Sequence, residues 1–209
     1  MDRRVRVLAV AAGLALIAIG GGAAAGDRAS RADDWRRIAT DADRTRLRGW
    51  RTAWTTALPQ VLATADGAAA LRSDPALYDP DAILDDALPP PGAYRCRTVK
   101  LGARGAGGLG YVAYGWFHCM VGTGPYPKLA KVDGSQRQIG TLYPDTDARA
   151  VFLGTLVLGD ERIAMPYRRD PQRDLAGWME RIGQRRWRVV FPYPAYESTL
   201  DLLEMVPDS

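Results

Sequence analysis

The stretch GWFHCMVG, residues 115–122, brings together the two residue types best suited to covalent or metal chemistry. His118 is the only histidine of the chain, and Cys119 is one of its two cysteines. A cysteine beside a histidine can act as a thiolate nucleophile with its general base, or as part of a metal site. A nucleophile must be a reduced thiol, and a metal site needs a free thiolate together with further ligands. Whether Cys119 is reduced or oxidised is therefore the first question.

Cys96 provides Cys119 with a partner. The glycine-rich segment GARGAGGLG, residues 102–110, lies between the two cysteines, and the midpoint of the interval falls on Gly107 and Gly108. A hairpin that turns there sets Cys96 directly opposite Cys119, where β-carbons are roughly 4.5–5.5 Å apart, close to disulfide reach. An even cysteine count in a chain with an export signal favours the oxidised form. The spacing therefore predicts a Cys96–Cys119 disulfide.

That disulfide leaves His118 without a thiol partner. Adjacent side chains on a strand point to opposite faces, so His118 faces away from Cys119. The same register sets His118 beside Arg97, whose charge favours the neutral imidazole. One histidine and two oxidised cysteines cannot complete a metal site. We therefore expect no metal and no cofactor, and His118 stays a possible binding residue whose role depends on whether its face is buried or lines a cavity.

Three other polar residues are possible binding residues near predicted turns. Arg137 follows the turn signal Asp133-Gly134 and could present its guanidinium fork to a carboxylate, inside or outside the molecule. Asp145 and Asp147 could contribute oxygen ligands to Ca²⁺, although an EF-hand loop needs more ligands at fixed spacing. Solvation of a loop is the simpler interpretation of these two aspartates.

The first 25 residues have the three parts of a secretory signal peptide. A basic segment, MDRRVR, precedes the uncharged run VLAVAAGLALIAIGGG, and small residues at 23–25 suit cleavage after Ala25. An uncleaved membrane anchor is the alternative, but the run is short of the ~20 residues that a spanning helix needs. We expect a mature chain of residues 26–209 that is periplasmic or secreted and has no stable membrane span.

The charge balance argues against a nucleic-acid partner. The full chain has a net charge of +4, but cleavage after Ala25 removes three arginines and one aspartate. The mature chain then carries 25 basic and 23 acidic side chains, without the excess that nucleic-acid binding requires.

Residues 33–88 have a helical pattern. Apolar residues recur at spacings of three and four, which is typical of an amphipathic helix. Thr40 and Asp43 resemble a capping box, with Asp in place of the usual Glu. Asp79 followed by Pro80 predicts the start of another short helix.

Residues 93–207 have a β pattern, and the stiff PPPG run at 89–92 marks the junction with the helical part. Short runs rich in β-branched and aromatic residues alternate with turn residues every ~8–12 positions. The connections are too short for helices, so neighbouring strands must be antiparallel. We expect one domain with an α+β fold, in which the N-terminal helical segment packs on an antiparallel β-barrel or barrel-like sheet, a sandwich being the alternative. The predicted strands span 93–101, 111–121, 127–132, 136–143, 150–158, 163–167, 174–182, 185–191 and 198–205.

The order of these blocks resembles a bacterial exported family, the domain-of-unknown-function family 4893. The blocks that carry the resemblance are PPPGAYRCRTVKLG, GSQRQIGTLYPD, FLGTLVLGDE, RDLAGWMERIGQRRWRVVFPYPAYES and LDLLEMVP. The likeness extends from about Asp34 to Pro207 and implies that residues 33–207 form one unit. It implies no activity, cofactor or catalytic residue for this sequence.

Two functions of different classes fit the sequence. The first is an exported envelope protein without enzymatic activity, whose β-barrel binds a small ligand or an envelope protein, because no nucleophile, metal or phosphate motif is present. The second is a hydrolase of envelope polymers that uses carboxylates and His118. Convergence of Asp145, Asp147, Glu161 or His118 on one pocket would favour the hydrolase.

Overall fold

The computed structural model describes residues 34–159 and 161–208, in which the main element is a closed antiparallel β-barrel. The strands follow the order β2-β1-β3-β4-β5-β6-β7-β8-β9, and β1 pairs again with β9 along nine residue pairs. This second pairing closes eight strands, while the short β2 is an addition to β1. The strands are β1 (Gly92–Ala103), β2 (Tyr111–Ala113), β3 (Phe117–Val121), β4 (Lys128–Lys131), β5 (Gln136–Pro144), β6 (Ala150–Leu158), β7 (Asp174–Gly183), β8 (Arg186–Pro192) and β9 (Ser198–Pro207).

The predicted fold class is confirmed, with a barrel and not a sandwich. The strand predicted at 163–167 is wrong, because this segment belongs to the connection between β6 and β7. The signal peptide predicted at residues 1–25 lies outside the described residues.

Among the described residues, five helices precede the barrel: α1 (Trp35–Ile38), α2 (Asp41–Arg48), α3 (Trp50–Leu62), α4 (Ala65–Ser73) and α5 (Pro75–Tyr78). Thr40 caps α2 as predicted, since its hydroxyl accepts the backbone N–H of Asp43 over 3.1 Å. The reciprocal half of the predicted capping box is wrong, because the backbone N–H of Thr40 donates to the Tyr167 hydroxyl and not to Asp43. In residues 34–159 and 161–208, no helix combines the length and apolar character needed to cross a bilayer.

The helix predicted to start at Asp79 is wrong. Asp79 is the residue that ends α5, and the following segment up to Pro91 runs without a helix. The segment forms a backbone bridge to the sheet, in which the backbone N–H of Leu84 donates to the carbonyl of Arg181 over 2.8 Å. This contact with β7 holds the segment extended, although Asp-Pro is locally a good helix start.

The part of the barrel wall beneath the helices is covered on both sides, which explains strands that are apolar on both faces. In β6, Phe152 points into the lumen, whereas Val151 and Leu153 pack against Trp35 and Leu47 of the helices. A second contact of the helical layer with the wall forms around the fully buried side chains of Trp54, Ala57, Leu101, Leu200 and Leu202.

A buried ion pair joins the helical layer to the wall. Glu180 of β7 and Arg188 of β8 are cross-strand partners, both fully buried, with Arg188 Nη2 2.8 Å from Glu180 Oε2. Arg188 Nη1 also donates to the backbone carbonyls of Ala76 and Leu77 in α5. Arg149 Nε donates to the other carboxylate oxygen of Glu180 over 2.8 Å. The pair therefore satisfies helix-end carbonyls that have no intrahelical partner.

The disulfide between Cys96 and Cys119 is present and lies inside the lumen. The predicted register is wrong by two residues, because Cys119 lies opposite Tyr94 and Cys96 opposite Phe117. The pairing of β1 with β2 centres the turn on Ala106, not on the two glycines that follow. The cysteines are thus diagonal neighbours, and their Cα atoms, 5.9 Å apart, remain within disulfide range.

We predict that replacing both cysteines, Cys96→Ala with Cys119→Ala, lowers the free energy of unfolding by about 3 kcal/mol, because the unfolded chain regains loop entropy. Urea unfolding monitored by circular dichroism measures the change. The wild-type protein unfolded under reducing conditions is the control and should match the variant. Two free thiols in the native, unreduced protein would contradict the disulfide.

Glu180→Gln should lower the free energy of unfolding by about 3–5 kcal/mol, because Arg188 then stays buried without a carboxylate. Asp81→Asn is the control. Asp81 pairs with Arg51 on the surface, where both side chains are more than half exposed, and its loss should change stability little. Equal effects of the two substitutions in urea unfolding would show that the buried pair does not hold the helical layer.

Candidate functional site

His118 lies on the outer wall of the barrel and pairs with a carboxylate. The residue faces away from the disulfide, as predicted, but its cross-strand partner is Arg95 and not Arg97. Its Nδ1 lies 2.9 Å from Asp133 Oδ2, and its backbone N–H donates to Asp133 Oδ1 over 2.9 Å. This hydrogen bond to Asp133 raises the pKa of His118, so the expected shift toward the neutral imidazole is wrong. The side chain is 66% exposed and therefore not buried.

The carboxylates considered for hydrolysis do not converge. Asp145 and Asp147 lie between β5 and β6, whereas Glu161 lies between β6 and β7. The nine residues of β6 separate the two connections by about 30 Å at ~3.3 Å per residue. Asp145 is already used to hold α1, because it accepts hydrogen bonds from Trp35 Nε1 over 2.8 Å and from Arg36 Nη2 over 2.6 Å.

Arg137 and Glu161 stabilise the connection between β6 and β7. Arg137 Nη2 donates to the backbone carbonyl of Glu161, so its guanidinium acts inside the molecule. Arg173 Nη1 donates to both carboxylate oxygens of Glu161 over 2.6 Å, and the backbone N–H of Leu158 donates to Oε2 over 3.0 Å. The Arg173 guanidinium lowers the pKa of Glu161, which does not suit a general acid.

One half of the lumen is filled with side chains. An eight-stranded barrel is only wide enough for its own side chains or one small ligand. Gly140 and Gly177 leave room for large rings, since a Cβ on them would lie 2.5 Å from Phe152 and 2.8 Å from Phe191. The apolar half of the lumen therefore has no space for a carried ligand. It is formed by Tyr94, Cys96, Cys119, Val121, Leu129, Leu142, Phe152, Met179, Trp187, Val189, Leu203 and Met205.

The other half of the lumen contains buried polar side chains. Lys100 Nζ lies 3.2 Å from Asp201 Oδ2 and 3.1 Å from Glu197 Oε2. Burial acts to lower the pKa of Lys100, but the two carboxylates outweigh it and raise the pKa. Lys131 and Gln138 are also buried here, and Gln138 Oε1 has no hydrogen-bond donor among the described residues.

A groove of about 600 Å³ lies at the mouth of the barrel beside the apolar half of the lumen. The buried rings of Tyr94 and Trp187 line it, with centroids 5.9 Å apart in an edge-to-face arrangement. Pro90, Pro91 and Pro207 also line the groove. Tyr94 donates its hydroxyl to the carbonyl of Pro90 over 2.6 Å, which ties the PPPG run to the barrel. The volume is within the range typical of small-molecule sites.

Two residues that line the groove have polar groups without partners among the described residues. Arg185 is exposed and makes no hydrogen bond or ion pair within residues 34–159 and 161–208. Trp187 Nε1 is buried and has no acceptor in the same part of the chain. Arg181, in contrast, is held by Asp86 and by the backbone carbonyls of Gly183 and Gln184. A buried donor without an acceptor costs about 1–3 kcal/mol, which a ligand that accepts this hydrogen bond would recover.

Sequence reasoning did not find this groove. It interpreted the PPPG run only as the junction between the helical part and the β part. The groove combines residues 86–94, 181–187 and Pro207, which only the barrel register brings together. The local signal was the pair Arg185-Arg186 next to Trp187, a basic and aromatic cluster at a predicted turn.

The fold and the groove define a class of protein, a small closed antiparallel β-barrel with an outer helical layer and a groove at one mouth. The chain belongs to the family described as "Domain of unknown function (DUF4893)", which it matches over residues 35–205. This match confirms the resemblance seen in the sequence blocks. No curated protein and no solved structure matches the chain.

We predict that Asp133→Asn lowers the pKa of His118 toward its ordinary value. Because the folded-state pKa is raised, the pair stabilises the fold below the ordinary histidine pKa and loses this effect as pH rises through the raised value. Imidazole NMR signals measured against pH report the pKa, and the chain has a single histidine to follow. Asp208→Asn, which removes only a weaker Coulombic effect, is the control. An unchanged pKa in the Asp133 variant would refute the pairing.

Proposed function

We propose that the protein is an exported binding protein of the cell envelope without enzymatic activity, and that its groove binds a small organic anion. The observation that carries the proposal is one juxtaposition. Arg185, a cation without a partner among the described residues, lines the same groove as Trp187, whose buried N–H has no acceptor among them either. Buried polar groups in native proteins almost always have partners, so an unpaired donor beside a cavity favours a ligand that supplies the acceptor.

The lining of the groove favours an anion with a flat apolar body. The rings of Tyr94 and Trp187 offer aromatic surface, and the prolines at the rim add apolar contacts without conformational freedom to lose. Burial raises the pKa of the Tyr94 hydroxyl, and the charge of Arg185, which lines the same groove, opposes this shift. A carboxylate can accept hydrogen bonds from both a guanidinium and an indole N–H. A small aromatic carboxylate therefore fits the groove best.

Two observations support export. The chain has two cysteines, and both are in the Cys96–Cys119 disulfide, the state that oxidising compartments maintain. The signal-peptide pattern of residues 1–25 is the second observation.

The hydrolase receives no comparable support. Asp145 is tied to α1, Glu161 is paired with Arg173, and His118 is exposed on the outer wall. Hydrolysis of a glycosidic bond needs two carboxyl groups about 5–10 Å apart across one bond, which the separation along β6 does not provide for Asp145 and Glu161.

Benzoate is a suitable probe for the groove. The chain has six tryptophans, so the indole N–H signals in ¹H–¹⁵N NMR spectra form a small set in which Trp187 can be assigned by Trp187→Phe. We predict a saturable shift of the Trp187 signal with benzoate. Arg185→Gln should weaken binding about 10-fold or more, because a hydrogen bond to a charged group is lost.

Benzamide and Arg162→Gln are the controls. Benzamide has the same ring without the charge and should bind more weakly than benzoate. Arg162 is an exposed arginine in the connection between β6 and β7, at the opposite end of the barrel, and its substitution should leave benzoate binding unchanged. The proposal fails if the Trp187 signal does not respond to benzoate, or if both arginine variants bind equally well.

A further inference from the structure

The barrel wall has a gap between β2 and the first residues of β5. The pairing of β4 with β5 ends at Ala130 and Ile139, so residues 136–138 pair with β6 on one side only. β2 pairs with β1 and with no other strand among the described residues. Closure of the barrel is thus complete at the β1–β9 seam but not at this position, which lies beside the polar half of the lumen.

A small cavity of about 60 Å³ lies at this gap. No acidic side chain lines it. The cavity is lined by three hydroxyl groups, one ammonium group, the ring of Phe117 and one residue of the β5 segment that pairs only with β6. The lining residues are Thr98, Tyr114, Phe117, Lys131, Ser135 and Gln136.

Lys131 is the unusual member of this set. It is 3% exposed, and its Nζ donates one hydrogen bond, to the backbone carbonyl of Gln136 over 2.9 Å. The Nζ also lies 3.8 Å from the centroid of the Phe117 ring. No carboxylate oxygen lies within ion-pair distance of Lys131 in residues 34–159 and 161–208, so its charge is desolvated without a partner anion.

Lys100 is a second buried lysine in the same lumen, but its charge is paired with carboxylates. It is 5% exposed, similar to Lys131, but it has carboxylates of Asp201 and Glu197 within 3.2 Å. Burial lowers the pKa of Lys131, and among charged groups only Asp133 opposes this effect while Arg137 adds to it. The barrel thus neutralises one buried lysine and leaves the other without an anion.

We propose that the gap between β2 and β5 is a second binding site, in which the Lys131 ammonium and the surrounding hydroxyl groups hold a small carboxylate. An ammonium has three donors, of which the described residues use one, so two remain for the ligand. The hydroxyls of Thr98, Ser135 and Tyr114 can donate to the remaining lone pairs of the carboxylate. The ion pair in a partly desolvated site is stronger than the same pair in water.

The size of the cavity limits the ligand to a few heavy atoms. A water molecule takes up about 30 Å³, so the cavity has room for about two waters or for a formate or acetate ion. The site lies at the opposite end of the barrel from the Trp187 groove and shares no residue with it. A negative binding result at one site therefore does not bear on the proposal for the other site.

Formate and acetate are the probes. The chain contains three lysines, Lys100, Lys128 and Lys131, so NMR spectra of the lysine ammonium groups in labelled protein contain only three side-chain signals to assign. We expect the Lys131 signal to shift saturably with formate and acetate. The pKa of Lys131 should rise by about 1 or more when the ion is bound, because an opposite charge in contact stabilises the charged ammonium. Benzoate, which is too large for the cavity, should leave the signal unchanged.

Lys131→Met should abolish the response, and Lys128→Met is the matched control. Lys128 is on the same strand but exposed, and its substitution should preserve formate binding by Lys131. If the Lys131→Met variant does not fold, the titration of the wild-type protein is still a sufficient test of the proposal. A Lys131 signal that does not saturate, that responds equally to chloride, or that shifts in parallel with Lys128 would overturn the proposal.

Discussion

Closure of the barrel by β1 against β9 is the constraint on which the rest of the structure depends. Among the strands that the structure describes, β1 is the only one with ladders to three others, and its nine pairs with β9 join the two ends of the sheet. Closure removes the exposed sheet edges that would otherwise invite association. It also fixes the width of the lumen, which eight strands make too narrow for anything larger than side chains or a small ligand. Binding is thereby confined to the mouths and to any gap in the wall.

The barrel wall faces the lumen on one side and the helical layer on the other, and each side has its own buried charged residues. Inward positions carry the apolar core, the disulfide and the Lys100 pair, whereas outward positions beneath the helices carry Glu180 and Arg188. Arg188 of this outward pair donates hydrogen bonds to the open carbonyls of α5, so the helical layer is attached by directed hydrogen bonds as well as by apolar contacts. Arg185 and Trp187 line the groove at one mouth of the barrel, where neither of their polar groups has a partner among the described residues.

Features encoded over short stretches could be predicted from the sequence. The helix cap at Thr40, the change to a β pattern near residue 90 and the disulfide all depend on local spacing or on a glycine-rich turn. The hairpin register could not be predicted, because residues 114–116 separate β2 from β3 and no local pattern marks this break. The helix predicted to start at Asp79-Pro80 is wrong for a related reason. The conformation of that segment depends on a contact of Leu84 with β7, about 100 residues away. The groove, His118–Asp133 and the Lys131 cavity depend on the same long-range register.

Hydrogen exchange at the β1–β9 seam tests the central claim most directly, because closure implies that the seam opens only when the whole barrel unfolds. Amide exchange measured by NMR at increasing urea concentration separates local from global opening. The closed barrel predicts that ladder amides of β1 and β9 exchange with the same free energy and urea dependence as those of β5 and β6. Exchange at the seam with a much lower free energy and no urea dependence would mean that the sheet opens there, and the account of a narrow, closed lumen would be wrong.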